Sequence, residues 1–134
     1  ARQRDRLAHA RASATNAVDQ LVAIIEAFGQ WASEPAVPGG CPIMNTAIEA
    51  DDTNPELHAH ARDAMTDWHR LFGAIVKEGK ARGELRDDTD PYTLATVATS
   101  MLEGALMLSN LYDDPVHMDR AVAHLTAHVE TLRS

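Results

Sequence analysis

Three dipeptides, Asn54-Pro55, Asp90-Pro91 and Asp114-Pro115, punctuate the second half of this chain and constrain its fold more than any other feature. An Asx side chain at an N-cap accepts a hydrogen bond from an orphan N–H of the first turn, and proline at the first helical position loses nothing by lacking a donor. Each pair therefore predicts a helix start. The helix from Pro55 should end near Gly83, because Lys77, Lys80 and Arg82 suit the negative end of its dipole and glycine suits the left-handed residue beyond the last turn. Gly73 and Gly79 weaken that helix internally.

Upstream, Val18, Leu21, Ile24, Ile25 and Phe28 trace one apolar face of a helix over 15–32. The arginine-rich opening, to about Ala12, reads as the tail of another helix, and 33–40, with Pro35 and Pro38, as a loop. Gly39 and Gly40 break the chain before a short helical segment from Pro42, in which Met44, Ala47 and Ile48 recur at helical spacing. No alternating strand pattern, internal repeat or low-complexity tract occurs. The chain reads as all-α, one domain over 1–134 with about six helices.

The helix over 91–111 is apolar or small on every side, with Glu103 its one formal charge after the capping Asp90. Such a helix is buried all round. One face, Leu94, Val97, Met101, Ala105 and Leu108, suits the domain's own core. The other, Thr96, Ser100, Gly104, Met107 and Leu111, carries small residues that permit close helix contact, and a second copy of the chain is the simplest cover for it. Met118, Val122, Leu125, Val129 and Leu132 form a further stripe in the last helix. It is expected to complete an intersubunit four-helix bundle, giving a homodimer through the last two long helices.

With 12 Lys plus Arg against 20 Asp plus Glu the formal charge is −8, which repels phosphate backbones and anionic membrane surfaces. Four of the basic residues, Arg2, Arg4, Arg6 and Arg11, lie in the first eleven positions, so the remainder is more acidic still. Cys41 is the only cysteine, which rules out an internal disulfide framework and fits a cytoplasmic location. The sequence has no signal peptide and no uninterrupted apolar run of about 18 residues, so no membrane association is expected. It opens mid-pattern at Ala1, as a fragment would.

The string Gly39-Gly40-Cys41-Pro42-Ile43-Met44-Asn45-Thr46-Ala47-Ile48-Glu49-Ala50-Asp51-Asp52 is more particular than local chemistry demands. It is followed by the long helix with Trp68, by Gly79-x-x-x-Gly83-Glu84-Leu85-Arg86, by Asp90-Pro91 and by Glu103-Gly104-Ala105-Leu106-Met107-Leu108. An Asp-Pro start to the last helix completes the order. Together these resemble the C-terminal domain of the tetracycline-repressor (TetR) family of bacterial transcription regulators, in the branch with a similar Gly-Cys-Pro-x-x-Asn-x-x-x-Glu run. The resemblance covers nearly the whole chain. It implies a helical core that binds a small effector, a dimer made by the last two helices, and an N-terminal helix-turn-helix that binds operator DNA. That last part is not in this chain, so DNA binding is expected of the parent protein, with residues 1–12 the tail of the connecting helix.

By that resemblance and by facing, Cys41, Met44, Asn45, Trp68, Phe72, Met101 and Ala105 are the candidate lining of a site for a small apolar or aromatic effector. Each has a plainer reading as ordinary core. Asn45 is either a ligand contact or a structural hydrogen-bond partner of the loop at Gly40. Cys41 has no His or Arg beside it to activate the thiol and reads as packed. Ser100, Gly104, Met107, Leu111, Met118, Val122, Leu125 and Val129 are the candidate dimer contacts. His124 and His128, four apart on one helix face with His117 upstream, lack a third ligand at a completing spacing, so no metal is assigned. Neither catalysis nor a cofactor is expected: Glu-x-x-His pairs, a Gly-x-Ser-x-Gly elbow and a phosphate loop are all missing, and Asp51-Asp52 and Asp87-Asp88 read as caps and turns. A ligand-free helical dimerisation or interaction module is the rival reading.

Overall fold

The computed structural model of the chain describes residues 2–34, 45 and 54–134. Five helices span most of them: α1 (Arg2–Ala12), α2 (Ala17–Ala32), α3 (Pro55–Ala81), α4 (Pro91–Tyr112) and α5 (Val116–Glu130). The expected short helix from Pro42 lies outside the described residues. Two of the three Asx-Pro starts are built as their chemistry demands. Asn54 accepts a hydrogen bond from the Leu57 N–H, and Asp90 accepts from the Tyr92 N–H and, at 2.6 Å, from the Thr93 hydroxyl. The third is shifted by one residue. Asp114 accepts from the Val116 N–H, but Pro115 occupies the cap and the helix begins after it. The cause is the tight reversal after α4, where Asp113 adopts φ 50° and the Asp114 N–H bonds the Ser109 carbonyl. At the far end of α3, Gly83 takes the left-handed conformation at φ 72°, which glycine adopts without strain.

Helix α2 is the centre of the molecule. Ala17, Val18, Leu21, Ile24 and Ile25 are fully buried, and the helix is covered by α1, α3 and α5. Two glycines set how closely its neighbours approach. A Cβ on Gly29 would stand 2.9 Å from a Val122 methyl of α5, and one on Gly79 would stand 2.4 Å from the Ala17 Cβ and 2.8 Å from Leu85 Cδ1. Gly79 therefore does more than weaken α3, since no side chain fits between α3 and the start of α2.

The α5 stripe corrects the expected interface. Met118, Leu125 and Val129 are buried in the chain's own core and Val122 packs on Gly29, so this face covers α2 rather than a second copy. The periodicity correctly marked a buried face but could not say what buries it, and the wholly apolar face of α2 needed α5 as cover. Helix α4 also departs from its expected division. Leu94 and Ala105 are buried and Met101 partly so, whereas Val97 and Leu108 turn outward with Thr96, Ser100, Met107 and Leu111. Its inner side is completed by Ala95, Ala98, Leu102 and Leu106, which meet α2, α3 and α5. By length and mean hydropathy (1.2) α4 would be long and apolar enough to cross a membrane, but its inner side is committed to neighbouring helices and includes the buried Glu103.

A polar junction ties the start of α2 and the last residues of the sequence to the α3–α4 turn. The Glu84 carboxylate accepts from the Ala17 N–H at 3.0 Å, capping α2, and from the Arg82 guanidinium at 3.1 Å. The Arg86 N–H bonds the Leu132 carbonyl and the Ser134 N–H bonds the Glu84 carbonyl, framing the isolated bridge between Leu85 and Arg133. Arg133 then reaches Asp19 at 2.8 Å and Glu130 at 3.1 Å. Hydrogen bonds from Arg82 and from the Ala17 backbone hold the Glu84 carboxyl below its ordinary value of 4.5. A carboxyl with a depressed folded-state value contributes stability that is fully present above that ordinary value and lost as pH falls through the depressed one. The urea midpoint of the native protein should therefore exceed that of Glu84→Gln at neutral pH, with the gap closing below pH 4.5. A gap that stays constant from neutral pH to about pH 3 would contradict this role.

Candidate functional site

The chain has two phenylalanines and two tryptophans, and all four meet in one run of ring contacts across α2 and α3. Trp31 leans on Phe28 with centroids 5.5 Å apart, Phe28 on Trp68 at 5.9 Å, and Trp68 meets Phe72 edge-on at 5.0 Å and 70°. Tilted and edge-on arrangements place the positive rim of one ring near the negative face of the next, the favoured geometry for aromatic pairs. Phe28 and Phe72 are buried, whereas Trp31 and Trp68 are partly exposed at the border of the core. The cluster thus has a closed floor and an accessible margin.

Helix α4 supplies the third wall. The Trp68 indole N–H donates to the Thr99 hydroxyl at 2.8 Å, and that hydroxyl donates to the Ala95 carbonyl at 2.7 Å. Glu103, one turn beyond Thr99 on the same face, is buried. On α3, His69 buries its Nε2 without a hydrogen-bond partner. An indole and two phenyl rings beside the fixed Thr99 hydroxyl are ingredients of a site for a flat apolar molecule.

Among the expected lining residues, Trp68 and Phe72 come together directly. Met101 packs partly buried against the same core, and Ala105 is buried one turn further along α4. Asn45 is exposed, and Cys41 and Met44 lie outside the described residues. Phe28, Trp31 and Thr99 belong with the cluster but were not among the expected residues. Phe28 was read as core from its spacing on α2. A tally of the chain's few aromatic residues, paired at 28 and 31 and again at 68 and 72, was the available signal.

Clefts open elsewhere among the described residues. One, of about 590 Å³, lies between α1 and α2 and is lined by polar groups including Asp5, Arg6, His9, Glu26 and Gln30. Another, of about 310 Å³, sits where the end of α2 meets the α4–α5 turn and includes Ser33, Asn110, Asp113 and Met118. Neither has Trp68, Phe72 or Met101 in its lining. His124 and His128 are exposed, and His117 leans on Tyr112 with ring centroids 5.5 Å apart and planes tilted by 40°. Among the described residues no group of three or more His, Cys, Asp or Glu is placed to hold a metal.

The outward side of α4 is the second candidate surface. Met107 is 54% exposed, Leu111 70%, Val97 42% and Leu108 37%, and around Gly104 the space is open. Thr96 and Ser100 share this exposed side.

Comparison with known proteins is consistent in fold. Residues 17–125 match the family described as "Tetracyclin repressor-like, C-terminal domain". A TetR transcriptional regulator from Chloroflexus aurantiacus superposes with a TM-score of 0.90 at 35% identity, covering 97% of this chain and 66% of that one. A TetR-family regulator from Cytophaga hutchinsonii gives 0.84 at 24% identity, covering 97% and 65%, and one from Streptomyces coelicolor gives 0.79 at 16% identity, also covering 97% and 65%. The chain thus spans just under two-thirds of the length of these regulators. No curated protein matches significantly.

Proposed function

This chain belongs to the TetR family of transcriptional regulators, and on that premise we propose that it is the effector-sensing and dimerising part of a cytoplasmic repressor. Operator contact would fall to a helix-turn-helix domain preceding it in the full protein. The observation that carries the sensing role is the aromatic cluster. It gathers every Phe and Trp of the chain at one margin of the core and leaves the Trp68 indole within reach. The effector is a small apolar or aromatic molecule that packs on that indole.

An effector changes operator affinity only by binding one arrangement of the helices better than another. Helix α1, which would lead to the DNA-binding part, packs chiefly on α2. Leu7 and Ala10 are its buried apolar residues in the core, and beyond them it relies on the ion pairs Arg6–Glu34 and Arg11–Glu78. Exposed pairs of this kind are each worth about 0–1 kcal/mol. A ligand that spreads α2 from α3 at Phe28 and Trp68 would carry α1 along with α2, its main support. Screening flat apolar compounds should give saturable quenching of tryptophan fluorescence that is lost in Trp68→Phe. Thermal stabilisation should accompany it, about 2.7 kcal/mol at 100 times the dissociation constant. Because Trp31 touches the same ring cluster, it is no independent reference, and Trp31→Phe should alter the signal without abolishing binding. A library-wide absence of response would leave the ligand-free dimerisation module as the better reading.

The outward face of α4 supports the dimer. Exposed Val97, Met107, Leu108 and Leu111 around small Ser100 and an open Gly104 make an apolar strip of a kind that soluble monomers seldom leave uncovered. A second copy fits it by laying its own α4 alongside. Gly104→Arg should convert a dimer to monomer or aggregate in light scattering, and an unaltered dimer would place the contact elsewhere.

A further inference from the structure

We infer that Thr99 is a positioning residue that limits Trp68 to contact through its carbon surface, so that the site selects flat aromatic molecules lacking a hydrogen-bond acceptor at the indole. This rests on the effector site proposed above. A threonine hydroxyl has one proton to give, and here it goes to the Ala95 carbonyl at 2.7 Å within α4. Only acceptor capacity remains on that oxygen. The indole nitrogen is donor-only, and it spends its single proton on that acceptor at 2.8 Å. Each group thus fixes the other's polarity. With Phe72 edge-on on one side and Phe28 on another, the ring is held by contacts from three helices.

The consequence is a rule about the ligand. A molecule packed on Trp68 finds apolar rings and no indole donor, so an acceptor atom placed there would lose its water without compensation. A donor site that is already filled discriminates against acceptors, whereas an unfilled one would attract them. Thr99→Val keeps the shape of the side chain but leaves the indole N–H unpaired, while Thr99→Ser keeps the hydroxyl.

The test uses naphthalene and quinoline, bicyclic molecules of the same outline that differ by one ring nitrogen acceptor, titrated by two-dimensional NMR on the protein labelled at its indole nitrogens. In the native protein the Trp68 N–H should exchange with water more slowly than that of Trp31, and naphthalene should bind more tightly than quinoline. In Thr99→Val the ratio of the two affinities should move toward quinoline by up to about tenfold, the scale of one hydrogen bond gained by a partly buried donor. Thr99→Ser should restore the native ratio. An unchanged ratio in Thr99→Val, or a Trp68 N–H that exchanges as fast as that of Trp31, overturns the role of Thr99. A protected Trp68 N–H with neither probe bound overturns the effector site itself, and this inference with it. Those two failures are distinguishable, and the exchange measurement stands even if Thr99→Val does not fold.

Discussion

The apolar face of α2, from Ala17 to Phe28, has to be sheathed on several sides at once, and the placement of α1, α3 and α5 follows from that need. Burial of large aliphatic side chains is worth about 1.5–3 kcal/mol each, so this one face outweighs any polar contact in the molecule. Helix α5 covers it at Gly29, α3 comes close enough at Gly79 to touch Ala17, and α1 lies across it through Leu7 and Ala10. The polar junction of Glu84, Arg133 and Asp19 then fixes the register of the α2 start against the chain's C-terminal residues. Because Phe28 is the last large residue of the sheathed face, the aromatic cluster is a direct continuation of the core rather than a separate feature.

The same arrangement links the cluster to α1. Phe28 and Trp31 lie near the end of α2, Trp31 less than a turn before Glu34, and Glu34 pairs with Arg6 of α1. Helix α2 thus connects the rings to α1, and the hydrogen bond from Trp68 to Thr99 connects them to α4, whose outward face is the one proposed for dimer contact.

Local chemistry was legible in the sequence where it is self-contained. The caps at Asn54 and Asp90 and the left-handed Gly83 need only their immediate neighbours, and the structure builds them as expected. Helical periodicity located the buried face of α5 but not its partner, which is why Met118, Leu125 and Val129 belong to the core although they were expected at a subunit contact. Thr99 was invisible for a different reason. Its importance comes from a side-chain bond to a residue 31 positions away, and nothing about a threonine inside an apolar helix announces that. Val97 and Leu108 were misplaced because a helix apolar on all sides carries no moment to say which side faces in.

The central claim is that the cluster of Phe28, Trp68 and Phe72 forms the wall of the effector site. Mapping the NMR shifts of aromatic side chains and of leucine and methionine methyl groups, as the protein is saturated with an apolar aromatic compound that stabilises it, tests this most directly. The largest shifts should fall on Phe28, Trp68, Phe72 and the Met101 methyl, with smaller changes at Leu7 of α1. Shifts concentrated instead around His9 in the α1–α2 cleft, or at Met118 beside the α4–α5 turn, would contradict the account and move the site to one of those clefts.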